Sequence, residues 1–142
     1  NGRISGLTQM TREIQKIREL ESDFVIEVIG HTDTKAFSKG ACNSNLDRVL
    51  IDYTNNNQGV DPIACDNAGL GLARASSTAR FLKSELERYY PDLISGLKIV
   101  PYSAGQLQPR TYELATRFLD QDDETRRRIE IRISLKMDNN QQ

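Results

Sequence analysis

Several residue types that particular functions require are scarce in this sequence. His31 is the only histidine and Cys42 and Cys65 are the only cysteines, and two cysteines cannot complete a zinc site by themselves. No metal or other cofactor is therefore expected. A basic excess is missing as well: 19 Lys and Arg stand against 20 Asp and Glu, a formal net charge of −1. A generic nucleic-acid binder carries a clear positive balance, so that class is excluded. The one concentrated basic run, Arg126-Arg127-Arg128, follows Asp122, Asp123 and Glu124, which argues against a phosphate-tracking tail. No apolar run approaches the length that spans a bilayer, and no signal peptide opens the chain. Asn1 is not an initiator Met, so the chain reads as a processed or excised piece of a longer protein, touching a membrane only through a segment it does not contain.

What is present suits one globular domain over residues 1–142: the sequence is 37% hydrophobic and 27% charged, enough for a real core without disorder. Cys42 and Cys65 lie in a polar, turn-rich segment with Gly40, Asn43, Asn45, Asn55-Asn56-Asn57, Gly59 and Pro62. Free structural cysteines prefer apolar, buried settings, so these two read as a pair closing a surface loop. A disulfide would imply an oxidising compartment such as the periplasm; the alternative is two unpaired thiols in a cytosolic protein.

Periodicity places the elements. Leu7, Met10, Ile14, Ile17 and Leu20 recur at helical spacing. Asp23 to Gly30 is short, β-branched and stopped by glycine, which predicts a buried central strand with His31-Thr32-Asp33-Thr34 at its end. Residues 35–66 form a long insertion, in which 46–51 could be a short helix or strand. Asn67 is the expected N-cap of a helix running to about Tyr90, where Pro91 stops it. Leu72, Ala75, Ala79, Leu82 and Leu86 form that helix's apolar stripe, and Arg74 lies about 125° from the stripe's centre, facing solvent or a groove. Leu97 to Tyr102 predicts a second strand and Tyr112 to Leu119 a further helix. Arg128 to Leu135 alternates polar and apolar without a break, a strand with one buried face. The tail 138–142 is polar and expected to fray. Together these give an α+β fold, a two-layer sandwich of a mixed sheet with helices on one face.

Individually the polar candidates are weak. His31 near Asp33 suggests acid–base chemistry, but no serine or cysteine stands beside them as a nucleophile, so hydrolysis is not expected. Taken in order, however, four segments resemble the motifs of the OmpA-like (OmpA/MotB/Pal) peptidoglycan-binding domain. Gly30-His31-Thr32-Asp33 resembles its G-H-T-D motif, and Asn67, Leu70, Arg74 and Ala75 its N-x-x-L-S-x-x-R-A helix. Gly105-x-x-x-Pro109 resembles its G-x-x-x-P loop, and Arg127-Arg128-Ile129-Glu130-Ile131 the N-R-R-V-E-I run that opens its last strand. The resemblance covers roughly residues 7–135. The chain departs from it at Gly71 (usually serine), Ser103 (commonly glycine) and Arg126 (asparagine). The 35–66 insertion is longer than the family's loop, and the family's opening strand is missing or truncated at Asn1.

The resemblance implies a non-catalytic domain that attaches an envelope protein to the cell wall. Members hold the diaminopimelate of the peptidoglycan stem, whose side chain ends in one ammonium and one carboxylate. Carried over residue by residue, Asp33 would accept from the ammonium and Arg74 would offer its planar fork to the carboxylate. Thr34, Asn67 and Arg127 would be secondary contacts or orienters. The parent would be an outer-membrane protein, a Pal-like lipoprotein or a MotB-like motor stator subunit, in the periplasm, and a homodimer is compatible with it. The alternative is an envelope protein-interaction domain that uses the insertion, with wall binding reduced or lost.

Overall fold

Short β-branched runs form the sheet and longer 3.6-period runs cover it. The computed structural model describes residues 2–19, 24–36, 40–55, 59–109, 114–116 and 122–135. In chain order the elements are α1 (Gly2–Glu19), β1 (Phe24–His31), α2 (Leu46–Asn55), α3 (Asn67–Tyr89), α4 (Pro91–Ile94), β2 (Lys98–Gly105) and β3 (Arg128–Leu135). The sheet order is β2-β1-β3, with β1 parallel to β2 and antiparallel to β3. The fold is thus α+β with a mixed sheet, and β1 is central, as its apolar run predicts. Pro101 has no N–H to give a ladder, and β2, which carries it, lies at the edge of the described sheet.

The core lies between the sheet and the helices. Phe24, Ile26 and Val28 of β1 meet Ile14 of α1 and Ala75, Ala79, Leu82 and Leu86 of α3, with Leu93 of α4 closing one end. Four of the five residues in the expected α3 stripe are buried, and Leu72 is half-buried. Arg18 of α1 donates to the carbonyls of Leu93 and Ser95, both at 2.7 Å, and to that of Asp92, tying α1 to the C-terminal carbonyls of α4. The apolar alternation of β3 is present, but its expected buried face is only partly covered, since Ile129 and Ile131 remain exposed at the sheet's edge.

Three further expectations need adjusting. The N-cap of α3 is Asp66, whose extended backbone (φ −144, ψ 173) lets its carboxylate accept from the Gly69 N–H at 2.6 Å; Asn67 is the first helical residue. Residues 46–51 are helical and belong to α2, with Leu46 and Tyr53 turned inward. Of the helix expected over 112–119, only 114–116 are described, and they are irregular; the rest of it, and the tail 138–142, lie outside the described residues.

The insertion is a stapled unit. Cys42 and Cys65 form a disulfide with 5.7 Å between their Cα atoms. Within the loop it closes, the Asn45 side chain donates to the Asp61 carbonyl at 3.0 Å and accepts from the Ile63 N–H at 2.7 Å. α2 packs on α3, with the Arg80 guanidinium 4.2 Å from the centre of the Tyr53 ring and Leu46 beside Gly69. At 100° per residue, Gly69 and Arg80 lie about 120–140° around α3 from Arg74, so α2 occupies a different flank. Disulfides of this kind persist in oxidising compartments outside the cytoplasm. Closing a loop of this length restricts the unfolded chain by about 3 kcal/mol. Reduction, or the Cys42→Ser/Cys65→Ser pair, should therefore lower the unfolding free energy by about that amount, read as a lower denaturant midpoint; an unchanged midpoint would show that the bridge constrains nothing.

Gly30 and Gly71 let α3 approach β1 more closely than any side chain would allow. A Cβ on Gly30 would lie 1.9 Å from the Gly71 carbonyl oxygen. A Cβ on Gly71 would lie 2.4 Å from Ser103 Oγ and 2.9 Å from the Gly30 oxygen. Ser103 Oγ donates to the Ala68 carbonyl at 2.6 Å and accepts from the Gly105 N–H at 3.1 Å. Glycine at 71 and serine at 103 therefore belong together: the absent side chain of Gly71 leaves the space that the Ser103 hydroxyl occupies.

Candidate functional site

The site forms where β1 ends beside the start of α3. After His31 the chain is pinned by the Thr32 N–H, which donates to the carbonyl of Gly105 at 2.8 Å, so the ends of β1 and β2 stay together past a shift in register between Gly30 and His31. Asn67 joins the same junction to α3: its amide donates to the Lys35 carbonyl and to Gln106 Oε1, both at 2.9 Å. Asn67 thereby ties the two loops to the start of α3.

Asp33 is only 6% exposed, an unusual state for a carboxylate without compensation. Arg127 supplies the compensation, its Nη1 lying 3.2 Å from Asp33 Oδ2. The backbone N–H of Asp123 also donates to Oδ2, and that of Lys35 to Oδ1, each at 3.3 Å. Arg127 is shared further, with Asp122 at 2.7 Å and Glu124 at 3.4 Å, and Lys35 reaches Asp122 at 3.5 Å. The structure therefore brings Asp33 and Arg127 into direct contact, while the Arg74 side chain is exposed and has no ion pair or side-chain hydrogen bond among the described residues. Thr34 is buried beside Asp33, and its hydroxyl has no hydrogen-bond partner among the described residues; the same holds for Thr32.

His31 is fully buried and turned towards β3, its Nε2 3.1 Å from Glu130 Oε2. Its Nδ1 is buried and has no hydrogen-bond partner among the described residues. Burial, and then the nearby Arg128 charge, lower its pKa below the ordinary 6.5, against the opposing pull of Glu130. Glu130 is lowered from its ordinary 4.5, first by the Arg132 hydrogen bond and further by the Arg132 and His31 charges, against a smaller desolvation that raises it. Below pH 6.5 the unfolded chain takes up a proton at His31 that the folded state resists, so stability falls as pH drops through that window. The Glu130 contribution, complete above 4.5, is lost as pH falls through its folded value. Both act in one direction. Urea midpoints measured between pH 7 and pH 5 should decline, and His31→Gln should flatten the decline; an equally steep decline in that variant would remove His31 as its cause.

Glu130 and Asp122 were not among the residues singled out from sequence. Glu130 carries a faint signal as a polar position in the β3 alternation, but its pairing with His31 depends on the β1–β3 register. Among the described residues no three of His, Cys, Asp and Glu are grouped closely enough to hold a metal ion, and no helix is long and apolar enough to cross a membrane. No protein-family model matches the chain, nor does any curated protein or solved structure compared with it.

Proposed function

We propose that this domain binds peptidoglycan without catalysing a reaction, holding the zwitterionic end of diaminopimelate with Asp33 on the ammonium and Arg74 on the carboxylate. One observation carries the reading: just past the end of the central strand stands a buried carboxylate with acceptor capacity unused among the described residues, and on the adjoining helix the Arg74 guanidinium has no ion pair or side-chain hydrogen bond among them. Among the described residues, Asp33 Oδ2 is taken by Arg127 and the Asp123 N–H, whereas Oδ1 receives a single long bond from the Lys35 N–H at 3.3 Å. A carboxylate has about four lone-pair sites, so Oδ1 keeps room for an ammonium. Helical side chains lean towards the helix N-terminus, which directs Arg74 to the end of α3 that Asn67 ties to Lys35. Arg127 pairs with Asp33 at 3.2 Å in its buried setting, and Thr34 offers a hydroxyl next to it.

The domain then attaches an envelope protein to the cell wall, as members of the resembled OmpA-like family do in outer-membrane proteins, lipoproteins and motor stators. A periplasmic location agrees with the disulfide. Co-sedimentation with purified peptidoglycan tests the reading: the parent chain pellets with the wall, and Asp33→Ala or Arg74→Ala leaves it in the supernatant. A second reading has one observation in its favour. The insertion presents Ile51, Val60 and Ile63 at 75%, 66% and 48% exposure, an apolar surface suited to a protein partner. A parent chain that ignores the wall would favour that reading over the first.

A further inference from the structure

Asp33 and Arg74 stand on different parts of the fold, and the backbone between them runs through the whole 35–66 insertion. A connection that long restrains its two ends far less than a short one. The Cys42–Cys65 bridge shortens it. With the bridge closed, residues 35–42, the two sulfurs and residues 65–67 lead from Lys35 to Asn67, and residues 43–64 become a side loop. A two-point grip needs each group within about 0.5 Å of its productive position, so the length of this tether matters to the site.

The tether arrives at the start of α3. Cys65 directly precedes Asp66, which caps the helix through the Gly69 N–H, and Ala64 on its other side is buried beside Gly69. Asn67 follows and donates to the Lys35 carbonyl at 2.9 Å. Lys35 gives its own N–H to Asp33 Oδ1 at 3.3 Å, the oxygen with room for an ammonium. One run of contacts thus leads from Cys65 through the cap to that oxygen, and Arg74 lies on the same helix about two turns beyond Asp66. The close approach of Gly30 and Gly71 fixes α3 against β1, but β1 ends at His31 and Lys35 lies past it. Holding the Lys35 segment over the helix start therefore falls to Asn67 and to the tether.

We propose that the Cys42–Cys65 bridge is a positioning element of the wall-binding site, so that the two-point grip on diaminopimelate depends on the bridge's redox state. This rests on the function proposed above. The side loop has contacts of its own, since Asn45 bonds Asp61 and Ile63 and α2 packs on α3, so opening the bridge acts first on the 35–42 and 65–67 side. The reductant is a dithiol. Its first thiolate attacks one sulfur to give a mixed disulfide and its second resolves that, leaving two cysteine thiols and an oxidised dithiol. Both cysteines are only half-buried, with exposed Ala41, Asn43 and Asp66 beside them, which leaves the bridge open to such a reagent.

Co-sedimentation of the full chain with diaminopimelate-built and lysine-built walls, with and without dithiothreitol, tests this, with circular dichroism reporting whether the reduced chain stays folded. The oxidised chain is expected to prefer the diaminopimelate wall. Reduction should weaken that binding about 10-fold, towards the level of the lysine wall, because the two halves no longer engage together. Joining the reduced thiols through one methylene group should restore the preference and make it indifferent to dithiothreitol. If reduction unfolds the chain, a Gly-Gly insertion between Cys65 and Asp66 lengthens the tether with the bridge intact and should give the same loss. A preference unchanged by reduction overturns the proposal and leaves wall binding standing, the Asn45 bonds then keeping the tether short. Equal proportional loss on both walls also overturns it, since the bridge then only stabilises the fold. An oxidised chain without any preference removes the two-point grip itself, and this inference with it.

Discussion

Gly30→Ala should cost about 3 kcal/mol or more and leave the chain largely unfolded in mild denaturant. The single methyl group would sit 1.9 Å from the Gly71 carbonyl oxygen, a contact of backbone with backbone. Side-chain rotation cannot relieve it, so α3 must shift as a unit away from β1, and the packing of Ala75, Ala79, Leu82 and Leu86 against Ile26 and Val28 shifts with it. Gly71→Ser is a milder insult of about 1–3 kcal/mol, because its first obstacle is the Ser103 hydroxyl. Ser103→Gly should recover part of that loss, leaving the 2.9 Å approach to the Gly30 oxygen as the remainder. Urea unfolding of the four members of this cycle should give a coupling of about 1 kcal/mol. Additive effects would mean that positions 71 and 103 do not compensate each other, and an unchanged midpoint for Gly30→Ala would mean that the helix does not sit so close.

The second large effect is expected on the proposed wall binding. A hydrogen bond to a charged group contributes about 1.5–3 kcal/mol net, so losing either half of the clamp should weaken binding about 10- to 150-fold. Arg74→Ala is the cleaner variant: the side chain is exposed and supports nothing else among the described residues, so the unfolding midpoint should stay put while binding falls. Arg74→Lys keeps the charge but loses the two-pronged fork, and should recover little. Asp33→Ala removes the buried carboxylate but leaves Arg127 paired with Asp122 and Glu124, so the fold should survive with a modest stability loss. Asp33→Asn keeps the shape and an acceptor oxygen but not the charge, and should bind nearly as poorly as alanine. Binding that persists in both Asp33 variants would place the ammonium elsewhere.

How much of this could be read from sequence depended on how local the cause was. β1, α3 and β3 were legible because each has a clean period of its own, and the disulfide because its cysteines sit in a polar loop where free thiols have no reason to be. Asp33 and Arg74 could be singled out only through the ordered motifs. The α3 cap was misplaced by one residue because Asp66 and Asn67 are both good caps, and the choice turned on Asn67 being drawn across to Lys35 and Gln106. The Asp33–Arg127 pair spans 94 residues and the His31–Glu130 pair 99, so neither could come from local spacing. The half-exposed face of β3 had the same limit: alternation tells which side is apolar, and the reach of the helical layer decides how much of it is covered.

The proposed zwitterion clamp would make a chemical distinction that no general affinity for cell walls makes. Lysine in the third position of the peptide stem carries the ammonium but not the adjoining carboxylate, so it can satisfy Asp33 and gives Arg74 nothing to hold. The most direct measurement is co-sedimentation of the parent chain with two purified peptidoglycans, one built on diaminopimelate and one on lysine. The expected result is binding to the first, about 10-fold or more weaker binding to the second, and equal, weak binding of Arg74→Ala to both. Equal binding of the parent chain to the two walls, or to neither, would contradict the assignment of Asp33 and Arg74 as the two halves of one site.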